Sequence, residues 1–108
     1  MSKAIIKLTD KQTNNDYYLI WSTIVDAPVS YGMSYDKCVK LFIKDFTDLE
    51  LLHLSNYLTK LKETGSTANL SIEELLEFNK AGANGEKLSS DEIIQDYCLT
   101  HTASTKIK

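Results

Sequence analysis

The chain is predicted to adopt an α+β fold, an N-terminal β-hairpin packed against about four α-helices, and three features of the sequence predict it. Two runs rich in β-branched and aromatic residues, residues 3–9 and 17–25, flank a polar connection and precede the only Pro. From Ser34 onward the apolar residues recur at helical spacing. Three pairs, Thr47 with Glu50, Ser71 with Glu74 and Ser89 with Glu92, have the spacing of capping boxes. In such a box a hydroxyl accepts from a first-turn N–H, and a carboxylate reaches back to the cap residue's own N–H.

Each element follows from local chemistry. The run Lys-Ala-Ile-Ile-Lys-Leu-Thr suits a short strand, and Asp10 to Asp16 is turn chemistry. Tyr17 to Val25 gives the strongest strand signal. Asp26-Ala27-Pro28 is expected to end it, because Pro has no ladder donor and holds the preceding residue extended. Ser34 can cap the first helix, with Asp36 favoured in its first turn by the dipole. Its apolar face is Cys38, Leu41, Phe42 and Phe46, flanked by Val39 and Ile43.

The chain should kink near Phe46 and restart at the Thr47 box. The second helix then buries Leu51, Leu54, Leu58 and Leu61, widened by Leu52 and Tyr57, and stops at Gly65. At about 1.5–3 kcal/mol per buried Leu, this helix is expected to be the central element. Its apolar width, with Leu49 added, exceeds the need of one small domain. A homodimer through that helix or through the hairpin edge is therefore an open alternative. The third helix carries Ile72, Leu75, Leu76 and Phe78, and the fourth carries Ile93, Ile94, Tyr97 and Cys98. One domain over residues 1–99 and a flexible tail over 100–108 complete the expectation.

Composition narrows the function classes. A net charge of −3 supplies no field that would gather nucleic acid or an anionic membrane. All twelve basic residues are Lys. Without the Arg fork, recognition of base edges and a tight grip on a nucleotide are disfavoured. No apolar run approaches the ~18 residues of a membrane span, and the N-terminus lacks a signal-peptide core. Cys38 and Cys98 lie in apolar helical patterns and read as buried free thiols, so a cytoplasmic location is expected.

No catalytic constellation stands out. Cys38, His53, Cys98 and His101 have no paired metal-ligand spacing, so neither metal nor cofactor is expected. Nucleophile elbows and phosphate-loop motifs are absent from the sequence. The paired carboxylates Glu73-Glu74 and Asp91-Glu92 sit where helix starts already explain them. The chain reads as a binder and not an enzyme.

Binding candidates cluster in two segments. Around the 21–34 turn, Trp21, Asp26, Tyr31 and Met33 bring two aromatics, an acid and a thioether together, and Ser34 opens a helix whose free N–H groups suit a small anion. The alternative is structural: Trp21 as core, Asp26 as a turn residue, Met33 as a staple. In the 78–86 segment, Asn79 can bind the last carbonyls of its helix and Asn84-Gly85 suits a tight turn. Gly65-Ser66-Thr67-Ala68-Asn69 is a third polar loop, read as a connector. Residues 71–99 hold seven acids against Lys80 and Lys87, so Glu73, Glu74 and Glu77 form a candidate acidic face for a basic partner.

Two segments, W-S-T-I-V-D-A-P-V-S-Y-G-M at 21–33 and E-F-N-K-A-G-A-N-G-E-K-L at 77–88, resemble those of small, mostly uncharacterised proteins encoded by tailed bacteriophages. The similarity runs over most of residues 17–98 and carries no catalytic residues across. It implies an accessory protein of an infected bacterium's cytoplasm that acts by stoichiometric binding. A host protein is the expected partner, and a small ligand such as a nucleotide or metabolite is the alternative.

Overall fold

The computed structural model describes residues 2–99, so the expected tail lies outside the described residues. Three strands form one antiparallel sheet in the order β1 (Lys3–Thr9), β2 (Asp16–Ser22), β3 (Ala27–Pro28). The connection between β1 and β2 is held by its own polar groups. Asp10 and Asn15 bond through the backbone at 2.8 Å, Asp10 Oδ1 accepts from Gln12 N at 2.9 Å, and Asn14 takes a left-handed conformation that Asn tolerates.

The helices follow in the expected order: α1 (Tyr35–Ile43), α2 (Asp48–Leu52), α3 (Leu54–Thr64), α4 (Ile72–Glu77) and α5 (Ser90–Ile93), the last running into a π-helical turn, Ile94–Leu99. All three capping boxes are formed, with both the hydroxyl and the carboxylate bond in place. Ser34 caps α1 through Lys37 N, and Gly65 ends α3 in the left-handed region.

The sheet is buried on both faces, because residues alternate across it in register Ile5↔Ile20 and Ile6↔Leu19. On one face Ile5 and Ile20 pack with Cys38, Phe42 and Leu61 of α1 and α3. On the other, Ile6, Leu8, Leu19 and Trp21 pack with Leu75, Ala81, Leu88, Ile93, Ile94 and Cys98. The hairpin is therefore the middle layer, and it takes the central place expected of the Leu-rich helix.

That helix departs from expectation in a second way. It breaks at His53 into α2 and α3, and α2 buries none of its residues. Leu49 and Leu52 are 66% and 76% exposed, and Leu51 is also exposed. Only the α3 portion packs: Leu61 is buried, with Leu54, Leu58 and Tyr57 partly so. Phe78 and Leu41 differ from expectation as well. Phe78 is the C-cap of α4 and is 67% exposed, and Leu41 turns to the outer side of α1.

The second strand stops at Ser22, short of Val25, because the Ser22 hydroxyl accepts from Ile24 N and Val25 N and draws the chain into a turn. Pro28 does not end the sheet. It lies opposite Trp21, while Val29 N donates to Ile20 O at 2.8 Å, so Pro28 occupies a position where no ladder donor is needed. Both hairpin edges are partly covered by other segments of the chain. Residues 65–67 bond along β1 through Lys7 N to Gly65 O and Thr67 N to Ile5 O, and residues 27–33 line β2 as far as the Tyr18–Met33 bridge.

Candidate functional site

The expected 21–34 site divides in two. Trp21 is fully buried in the core and lines none of the surface cavities described below. Its Nε1 is the one buried side-chain polar atom without a hydrogen-bond partner among the described residues. Asp26 has a left-handed backbone and closes the turn through Ser22 O, and its own carbonyl accepts from Lys80 N at 2.7 Å. Ser34 is occupied as the cap of α1. These three residues take the structural role.

Tyr31 and Met33 do come together at a surface. They line a cavity of about 470 Å³ with Pro28, Val29, Leu41 and Tyr97. A second cavity, of about 500 Å³, runs from Val29, Ser30 and Leu41 to Phe42 and Phe46, with Lys3, Lys44, Asp45 and Glu50 also on its lining. Val29, Ser30 and Leu41 border both, so the two cavities adjoin and make up a two-part trough along the 28–33 segment and the outer side of α1. Val29 and Leu41 are 51% and 47% exposed on it.

The walls are fixed from behind. Ser30 Oγ accepts from Ile20 N at 2.9 Å, in place of a ladder carbonyl. Gly32 N donates to Tyr97 O at 2.8 Å, and Tyr97 Oη donates to Ala81 O at 2.6 Å. Burial, then the neighbouring Asp96 and Tyr31, push the Tyr97 phenol above its ordinary range, so it stays protonated as that bond requires. Sequence reasoning missed Val29 and Tyr97, and it placed Leu41 on the buried face. Only Leu41's position beside Phe42 in an amphipathic helix carried any signal.

The second candidate segment is structural at Asn79. This side chain is buried, and Nδ2 donates to Leu76 O and Leu88 O at 2.7 and 2.8 Å. Its Oδ1 accepts from Leu88 N and Ala81 N. Asn84 is exposed in the turn that Gly85 closes with a positive φ, and its N–H donates to Glu86 Oε1. Of the acidic face, Glu74 is folded back onto Ser71 N and Glu77 pairs with Lys87 at 3.4 Å, leaving Glu73 outward without either tie.

Both thiols are free and buried, and burial pushes each from 9.0 to about 12. The folded chain therefore holds protons that the unfolded chain releases between those values. The resulting stability is complete below pH 9 and is lost as pH rises toward 12. Tyr18, raised first by burial, acts in the same direction. A thiol reagent at pH 8 should find neither cysteine in the native protein and both in urea. The urea midpoint should hold from pH 7 to 8 and fall above pH 9.

Among the described residues no group of three or more His, Cys, Asp or Glu side chains could hold a metal ion, and no helix is long and apolar enough to cross a membrane. No protein-family model, curated protein or solved structure matches the chain.

Proposed function

We propose that this chain is a non-catalytic binding protein whose working surface is the trough along residues 28–33 and α1, and that its occupant is an apolar segment of a host protein. The observation that carries this reading is a pair of adjoining cavities of about 500 and 470 Å³ that share Val29, Ser30 and Leu41 on their linings. A long trough suits an extended or helical segment with two apolar anchors better than one compact molecule. Half-exposed Val29 and Leu41 lie at its middle, with Lys44 and Asp45 beside them, which is the arrangement of an apolar centre within a polar rim. The resemblance to phage-encoded accessory proteins supports action in the cytoplasm of an infected bacterium, by occupying a host component.

The test is capture from bacterial lysate at moderate salt, followed by mapping. A stoichiometric protein should be retained and should protect the 28–33 amides from hydrogen exchange. Leu41→Lys or Val29→Lys should weaken capture at least tenfold, since central apolar contacts carry most of such an energy. Each change should cost no more than about 1 kcal/mol of stability, because both side chains are already half exposed. Retention unaffected by either change would sink the reading. Light scattering separates the remaining occupant, a second copy: a dimer mass that Leu41→Lys abolishes would reassign the trough to self-association.

The cavity bordered by Tyr31, Met33 and Tyr97 favours one second reading, a small apolar or aromatic ligand held there. In that case a metabolite pool should raise the melting temperature of the parent and not of Tyr31→Ala.

A further inference from the structure

We propose that the cleft beside Lys3, between α3 and residues 67–70, binds the phosphate monoester of a small hydroxylated molecule, such as a sugar phosphate. It has a volume of about 340 Å³ and shares only Lys3 with the trough. That volume is near the lower end of the roughly 300–1,000 Å³ range of small-molecule sites, which suits a molecule the size of a sugar phosphate.

The chemistry of the lining is one-sided. Lys3 and Lys60 bring two ammonium groups, and none of the described residues on the lining is acidic. Lys60 is already positioned, because its Nζ donates to Asn69 Oδ1 at 3.0 Å. That bond spends the Asn69 acceptor and leaves the Nδ2 hydrogens as donors. Thr67 Oγ1 accepts from Ile5 N at 3.0 Å, which fixes this wall of the cleft against β1. Tyr57 of α3 also borders the cleft. The Asn69 amide hydrogens, beside two cations, match an oxyanion attached to a body that bears hydroxyl groups.

The polar loop that supplies Thr67 and Asn69 is held where it is by its pairing along β1. The sequence gives that loop no purpose beyond connection, whereas its backbone pairs along β1 and Thr67, Ala68 and Asn69 line the cleft. Lys holds phosphate as a point charge without the bidentate fork, so affinity on the order of 0.1–1 mM is expected for a ligand of this size.

The experiment titrates ribose 5-phosphate, inorganic phosphate and ribose separately into the isotope-labelled full chain and follows amide shifts. Ribose 5-phosphate should saturate, with shifts confined to residues near Lys60, Thr67 and Asn69. Inorganic phosphate should bind at least fivefold more weakly, and ribose should leave the spectrum unchanged. Lys60→Gln and Asn69→Ala should each weaken binding about tenfold while melting at the parent temperature, and raising the salt to 0.5 M should weaken it further. Leu41→Lys, which lies in the trough, should leave this titration untouched, so failure of one site is distinguishable from failure of the other. No saturation by 10 mM ribose 5-phosphate overturns the proposal. So does equal affinity for inorganic phosphate, or binding indifferent to both variants.

Discussion

Asn79→Ala is expected to destabilise the chain by roughly 3–5 kcal/mol, because one buried amide satisfies three buried or half-buried stretches of backbone. Its Nδ2 holds Leu76 O at the end of α4 and Leu88 O just before the cap of α5, and its Oδ1 holds Leu88 N and Ala81 N. Alanine removes all four bonds at a site only 2% exposed. Each orphaned buried group costs about 1–3 kcal/mol, and partial rearrangement of the 80–88 connection recovers some of it. Against a total stability of 5–15 kcal/mol for a domain, the loss is a large share and should lower the melting temperature by about 15–30 °C. Asn79→Asp separates the two halves of the argument. A carboxylate can accept from Ala81 N and Leu88 N but repels the two carbonyls, so the aspartate variant should be destabilised at pH 7 and partly recover when acid protonates it. Urea titration reads both variants, and a loss below 1 kcal/mol for Asn79→Ala would show the amide to be incidental.

The parts of the fold legible in the sequence are those whose cause is local. Thr47 with Glu50, Ser71 with Glu74 and Ser89 with Glu92 are helix starts because the partners lie three residues apart, and Gly65 stops α3 because its own φ requires glycine. What was not legible depends on residues far apart in the chain. Ile5-Ile6 and Leu19-Ile20-Trp21 are unbroken apolar runs, the mark of a strand covered on both faces, yet the covering helices come from two separate later stretches, 35–64 on one face and 72–99 on the other. Pro28 reads as a stop until Val29 N is seen on Ile20 O. The Leu pattern after Thr47 promises burial, but periodicity alone does not say whether a partner surface exists, and for Leu49 and Leu52 the described residues provide none. The candidate trough follows the same logic. Tyr31 and Met33 were visible as a cluster near a turn, whereas Leu41 and Tyr97 reach the same cavity through the packing of α1 and the π-helical turn.

Gly32→Ala tests that packing where it is tightest. A Cβ built on Gly32 would lie 2.5 Å from Cys98 Sγ, 2.9 Å from its Cβ and 3.2 Å from its Cα. The last of these belongs to the backbone of the π-helical turn, so the clash is not relieved by a side-chain rotation alone. Glycine is required here for close approach, and the expected cost of the added methyl is about 1–3 kcal/mol. Cys98→Ala in the same chain removes the nearest atom and leaves the other two, so it should restore part of the loss. The double variant should then be more stable than the sum of the single effects by about 1 kcal/mol, the signature of contacting residues. A functional consequence follows from the bond beneath the clash. Gly32 N donates to Tyr97 O at 2.8 Å, so pushing the two segments apart moves Tyr97, one wall of the trough. Gly32→Ala should therefore weaken capture of the partner at temperatures where the variant is still fully folded, and Cys98→Ala should restore capture along with stability. Stability within 0.5 kcal/mol of the parent, or strict additivity with Cys98→Ala, would falsify this account of how the turn and the 28–33 segment are locked together.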